Sequence, residues 1–269
     1  TGAQSMKVAF VGGGNMAGAL IGGILQAGFK ASEIDVAEID SARRAELTER
    51  HKVRTHERPG DWLQASEIIV LAVKPQQMRE AAVAIRPHLK QPLVLSIAAG
   101  VRAATIADWL ATGKIVRAMP NMPALIRAGI TAAVALPEVS ATQTAAADKI
   151  LGAVGTVIWL DDEALLDAVT ALSGSGPAYI FYFIEAMQAV ARELGFDEAQ
   201  ARALTLHTFA GAAQLAMQSS ESAAALREKV TSKGGTTAAA LASFEHDKVD
   251  EAIARAIRAA AARARELGS

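Results

Sequence analysis

Residues 6–23 read MKVAFVGGGNMAGALIGG, and the fold follows from how this stretch is parsed. Residues 7–11 form a short apolar run of the kind that makes a buried strand, while Ala17, Leu20, Ile21 and Ile24 recur at helical spacing. Between them, Gly12-Gly13-Gly14-Asn15-Met16-Ala17 matches G-x-G-x-x-A at a strand-to-helix junction, the setting in which that pattern takes a dinucleotide. Gly12 permits the tight turn, Gly14 lets a pyrophosphate approach the backbone, and small Ala17 allows close helix–strand contact. Amides at the helix start, unpaired within the helix, then face the phosphates. The same run has the look of a secretion signal, but Asn15 and the glycines interrupt it. Residues 1–5, TGAQS, read as an expression remnant ahead of Met6.

Outward from this point, residues 34–37, 68–73, 93–97 and 115–118 read as further buried strands, and 15–27, 42–50, 76–85 and 103–110 as helices. That alternation predicts an α/β fold with a parallel sheet covered on both faces. Strand 130–136, helix 141–154 and strand 156–160 extend it. After Asp161-Asp162 strands stop, and helices 179–194, 198–218 and 248–267 follow. The boundary is therefore placed between an N-terminal Rossmann-type dinucleotide-binding domain, 6–160, and an all-α C-terminal domain, 161–269. The last helix lines Val249, Ile253, Ile257, Ala260, Ala264 and Leu267 along one stripe. Alanine-rich helices carry little bulk, so this half either packs on a partner subunit or closes over the first domain.

Of 269 residues 51% are apolar, enough for a sizeable core, and the formal net charge is -1. Lys and Arg are dispersed, with no basic block interleaved with aromatics, which argues against nucleic-acid and membrane-surface partners. No apolar run is long enough to span a bilayer. The absence of cysteine excludes disulfides, thiolate nucleophiles and Cys-type metal sites, in keeping with a cytoplasmic protein. His51, His56, His88, His207 and His246 show no metal-ligand spacing. Ser173-Gly174-Ser175-Gly176-Pro177 follows no strand and is no nucleophile elbow. Asp161, Asp162 and Glu163 read as carboxylates opening a helix.

Three further strand ends bear on the ligand. A carboxylate at Glu38 can accept from an adenosine ribose and repels a 2′-phosphate, which favours NAD(H). Arg43 and Arg44, a turn later, either offset that repulsion or belong to a solvated loop, so NADP(H) stays open. Ala72, Val73, Lys74 and Pro75 end one strand, and Ala98 and Ala99 follow the next; their position on the carboxyl edge suits the nicotinamide end of the cofactor.

LAVKP (71–75), RAMPNMPALI (117–126), ALSGSGPAYIFYFIEAM (171–187) and VTSKGGTT (230–237), in order after the VGGGNMA start, make the chain resemble the pyrroline-5-carboxylate reductases. The resemblance implies reduction of a cyclic imine to L-proline by NADPH or NADH, the last step of proline biosynthesis. It implies a C-terminal dimerisation domain through which subunits interlock as a homodimer, often joined into a larger ring. It places Gly12, Gly14, Asn15 and Met16 on the pyrophosphate, and Ala72, Val73, Lys74, Pro75, Ala98 and Ala99 along the path to the nicotinamide. Ser232, Gly234, Gly235, Thr236 and Thr237 would hold the substrate. The sequence departs from the family pattern at Lys233, where Pro is usual, and at Met122, where Thr is usual. It departs again at Glu38-Ile39, where many relatives carry an Asn-Arg-like pair suited to a 2′-phosphate.

This chemistry gives SKGGTT a reason. Gly234 and Gly235 would expose amides to the substrate carboxylate, the helix opening near Thr236 would add its dipole, and Ser232 and Thr237 would complete the cradle. Thr237 is the candidate catalytic residue, donating a hydrogen bond to the ring nitrogen. Two other readings stay open: a β-hydroxyacid dehydrogenase or related imine reductase, which shares the two-domain plan and would use Lys233, and a nicotinamide-binding regulator without turnover.

Overall fold

The computed structural model describes residues 6–268, so the expected remnant at 1–5 lies outside the described residues. Among these, one sheet holds eight strands: β1 Val8–Val11, β2 Ile34–Ala37, β3 Arg54–His56, β4 Ile68–Leu71, β5 Leu93–Ser96, β6 Ile115–Met119, β7 Gly129–Ala135 and β8 Gly155–Trp159. Their spatial order is β3-β2-β1-β4-β5-β6-β7-β8. The chain lays down β1, β2 and β3 to one side, then crosses to place β4 on the other side of β1. That reversal makes a topological switch point, where ligands of open α/β sheets bind. The helices around the sheet are α1 Asn15–Gln26, α2 Ser41–His51, α3 Met78–Ile85, α4 Ala103–Leu110, α5 Ala141–Gly152 and the short α6 Leu165–Val169.

Both faces of the sheet are covered, which is why its central strands are apolar throughout rather than alternating. Val8 and Phe10 pack with Leu20, Ile21 and Ile24 of α1 on one face. Ala9 and Val11 pack with Met78, Ala82 and Ile85 of α3 on the other. The sheet is not wholly parallel as expected: β6 and β7 run antiparallel, Ala118 opposite Ala133. The link between them is a single 3-10 turn, Met122–Ile126, too short for the crossover a parallel pair needs.

By packing, the described residues form two compact units, one running to Ser175 and taking in the chain from Ala260 onward, the other Gly176–Ala259. The strands end at β8, close to the expected boundary of 160/161, but the segment that follows stays with the sheet. Leu166 of α6 is buried against Ala132 and Val134 of β7. Asp167 is paired with Arg102 at 2.7 Å. Glu163 does not open its own helix: one oxygen accepts from buried Arg117 and from the Ala103 amide at the start of α4, both at 2.7 Å. Thr170–Gly174 makes a π-helical turn running into the next helix. A Cβ on Gly174 would fall 2.7 Å from the Met119 Cε.

The second unit contains α7 Gly176–Glu193, α8 Glu198–Gln218, α9 Ala223–Lys229, α10 Thr236–His246 and the start of α11 Val249–Leu267. Its buried described residues are Ala201 and Thr205, so it has almost no core of its own. Ile180, Phe183, Met187, Val190 and Leu194 recur at helical spacing with 37% to 75% of their surface exposed. Among the described residues no helix is long and apolar enough to cross a membrane.

Strand β3 is a polar edge that no apolar run announces. Asp35 of β2 holds it by accepting from Arg54 Nε at 2.9 Å and Nη2 at 2.6 Å, and from His56 Nε2 at 2.7 Å, with His56 stacked on Trp62. Burial raises the Asp35 pKa, but the bonds from Arg54 and His56 outweigh it and hold the carboxyl below its ordinary 3.8. A lowered carboxyl pKa stabilises the fold above that ordinary value, and the contribution is lost as pH falls through the folded one. Asp35→Asn should therefore lower the unfolding temperature at about pH 7, and the difference from wild type should shrink as pH falls below the ordinary 3.8 of the carboxyl, by thermal denaturation.

Candidate active site

The parallel registers bring the first group of candidate residues to one edge. Val11 lies level with Ala37 and with Leu71, and Leu71 with Ser96, so β1, β2, β4 and β5 end together. At that edge Gly12 turns at φ +99, its amide donating to the Ala37 carbonyl at 2.9 Å. A Cβ there would fall 2.6 Å from the Ala72 carbonyl oxygen, so only glycine lets the turn pass β4. Gly13 is buried, whereas Gly14 and Asn15 are exposed and Met16 is half-buried.

Glu38 folds back over this turn. Its Oε2 accepts from the Gly13 amide at 2.8 Å and its Oε1 from the Asp40 amide at 2.9 Å. Arg43, on α2, donates Nε to the Gly13 carbonyl at 2.6 Å, so that Gly13 is held at both its amide and its carbonyl. Beside it, Asn15, Gly18, Arg43, Glu46, Arg50 and His51 line a cavity of about 100 Å³. There burial holds the His51 imidazole below its ordinary pKa, assisted by Arg50 and Arg43.

Lys74 and Pro75 are exposed beyond β4, with Ala72 and Val73 half-buried. Ala98 and Ala99 differ from each other: Ala98 is buried in the core on the α3 and α4 side, and only Ala99 is half-exposed. Asn121 was not anticipated as an organising residue. Its Oδ1 accepts from the Ile130 amide at 2.9 Å and its Nδ2 donates to the Ser173 carbonyl at 3.1 Å, tying β7 to the π-helical turn. Its signal in the sequence was a lone amide side chain inside MPNMP.

The edge fits a dinucleotide. Gly14 caps α1 without a side-chain bond, so the first amides of the helix are left for a ligand, and a Cβ on Gly14 would meet nothing within 4 Å. Gly12, Gly14, Asn15 and Met16 would hold its pyrophosphate and Glu38 its ribose.

Ser232, Gly234, Gly235, Thr236 and Thr237 lie in the second unit, at the entry to α10. Gly234 turns at φ +72 and Gly235 caps the helix without a side-chain bond. The Gly235 amide is not exposed for a ligand as expected, because the turn closes on itself and that N–H donates to the Ser232 carbonyl at 3.1 Å. The Gly234 amide and those of the first turn of α10 remain for an anion. The Thr237 hydroxyl has no hydrogen-bond partner among the described residues.

A family model described as pyrroline-5-carboxylate reductase dimerisation matches residues 163–267, and one described as NADP oxidoreductase, coenzyme F420-dependent, matches residues 7–100. A pyrroline-5-carboxylate reductase of Pseudomonas aeruginosa is 42% identical over 263 residues, 97% of this chain and 96% of its own. One of Arabidopsis thaliana is 33% identical over 98% of this chain and 96% of its own. Among solved structures, a pyrroline-5-carboxylate reductase of Coxiella burnetii superposes with a TM-score of 0.93 at 37% identity, over 99% of this chain and 100% of its own. A Plasmodium falciparum pyrroline carboxylate reductase with NADP bound gives 0.88 at 26% identity, over 100% of each chain. By its likeness to these relatives over nearly its whole length, this chain belongs to the pyrroline-5-carboxylate reductase family.

Proposed function

We propose that this protein reduces 1-pyrroline-5-carboxylate to L-proline with NADPH or NADH, the last step of proline biosynthesis, in the cytoplasm. The observation that carries this reading is the uncapped start of α1 with open space at Gly14, set at the switch point of a chain of the reductase family. When bound, the reduced nicotinamide supplies the hydride.

The residues of this chain bind and orient. Gly12, Gly14, Asn15 and Met16 take the pyrophosphate, Glu38 the adenosine ribose, and Ala72, Val73, Lys74, Pro75 and Ala99 lie along the cofactor, with Ala98 supporting them from the core. The Gly234 amide and the start of α10 take the substrate carboxylate, with Ser232, Gly235 and Thr236 shaping the turn. Thr237 donates a hydrogen bond from its hydroxyl to the imine nitrogen, favouring the iminium-like state; threonine is a poor acid, so it positions the ring and water supplies the proton. Holding the imine carbon in a reactive orientation accounts for the larger share of the acceleration.

Functionally the division is 6–160 for the dinucleotide and 161–269 for dimerisation and substrate. The exposed stripe on α7 and the near absence of a core in the second unit support a homodimer through that unit, with larger rings built from such dimers.

Oxidation of NADH or NADPH with pyrroline-5-carboxylate, followed by absorbance with L-proline identified as product, tests the reaction. Cofactor binding without oxidation would sink it. Thr237→Ala should lower kcat by about 100-fold while leaving the cofactor dissociation constant unchanged. Gly14→Val places a side chain in otherwise open space, so it should keep the wild-type unfolding temperature and weaken dinucleotide binding by at least about tenfold, measured by calorimetry. Val190→Asp puts a charge in the α7 stripe and should shift the protein toward monomer in sedimentation velocity.

A further inference from the structure

We infer that Glu38 makes this chain selective for NADH over NADPH, and that Arg43 and Arg44 serve the loop rather than a 2′-phosphate. The inference rests on the dinucleotide-dependent reading above and names which dinucleotide the site prefers.

The carboxylate stands where an adenosine ribose must lie. Glu38 directly follows β2, and its own amide donates to the His56 carbonyl at 2.9 Å, which fixes the backbone from which the side chain leaves. The side chain is half-buried and held at both oxygens by the Gly13 and Asp40 amides, at 2.8 and 2.9 Å. Each oxygen accepts one of these bonds and keeps a lone pair. A ribose carrying 2′- and 3′-hydroxyls has hydrogens to donate to those lone pairs. A 2′-phosphate brings charge of the same sign and no hydrogen to share, and the anchored carboxylate cannot swing away without breaking two bonds.

The two arginines that would neutralise such a phosphate are each tied to a backbone carbonyl of the loop. Arg43 donates Nε to the Gly13 carbonyl at 2.6 Å, Nη1 to Glu46 at 2.6 Å and Nη2 to Asn15 Oδ1 at 3.3 Å. Arg44 Nη1 donates to the Glu38 and Ile39 carbonyls at 2.7 and 2.8 Å. Turning the Arg43 guanidinium onto a phosphate would take its Nε from the Gly13 carbonyl, loosening the turn that receives the pyrophosphate. The close fit leaves no room for adjustment at Gly13, where a Cβ would fall 2.7 Å from Leu47 Cδ1 and 3.2 Å from Glu38 Oε2.

The test is the dissociation constants of NADH and NADPH for the full-length protein, by isothermal titration calorimetry, for wild type and Glu38→Gln. The expected result is NADH tighter by about tenfold or more in the wild type, with the gap narrowing in Glu38→Gln mainly through stronger NADPH binding. Equal or tighter binding of NADPH by the wild type overturns the inference while leaving the reductase reading intact, and so does a ratio that Glu38→Gln leaves unchanged. Binding of neither dinucleotide overturns the reductase reading and this inference with it. The wild-type ratio decides alone if Glu38→Gln does not fold.

Discussion

The passage of the first turn beside β4 is the constraint on which the rest of the sheet unit depends. Gly12 takes a left-handed backbone angle with the Ala72 carbonyl where its Cβ would be. Because nothing occupies that space, β1 can finish level with β2 and β4 and deliver the chain into α1 with its first amides at the switch point. Bulk at Gly12 would have to displace β4, which shares buried side chains with β5 and with both helical layers. A packing requirement at one residue thus sets where the start of α1 lies.

Around that turn, apolar burial assembles the layers and a few polar contacts fix their edges. Asp35 pins the polar strand β3, Glu163 ties β6 to the start of α4, and Asn121 links β7 to the π-helical turn. Arg117 is 3% exposed, and a cation so buried depends on its partner: losing the carboxylate costs more than the intact pair contributes. Glu38 and Arg43 fix Gly13 through its amide and its carbonyl. The helical unit differs in kind, since its large side chains are left on the surface of the single chain.

The central strands and most helices were legible because fully buried strands are unbroken apolar runs and helices repeat at 3.6 residues. β2 Ile34–Ala37, α4 Ala103–Leu110 and α8 Glu198–Gln218 match the expected bounds, and the other expected elements shift by one to three residues at their ends. β3 was missed because Arg54-Thr55-His56 earns its place through bonds to Asp35, not through hydrophobicity. The antiparallel β6–β7 pair was missed because strand direction is set by what a short link can span, which apolar patterning does not record.

The sequence by itself determined the alternating layers, the glycine turn with its dinucleotide geometry, and the family. Periodicity, the placement of glycine and the order of motifs are properties of neighbouring residues. Only the tertiary structure decided that Glu38 turns back onto Gly13 rather than out to solvent, that the Gly235 amide is spent on Ser232, and that Glu163 serves a helix sixty residues away. Each of these is a hydrogen bond set by backbone torsions or by contact between distant segments, and such bonds exist only once the chain has closed upon itself.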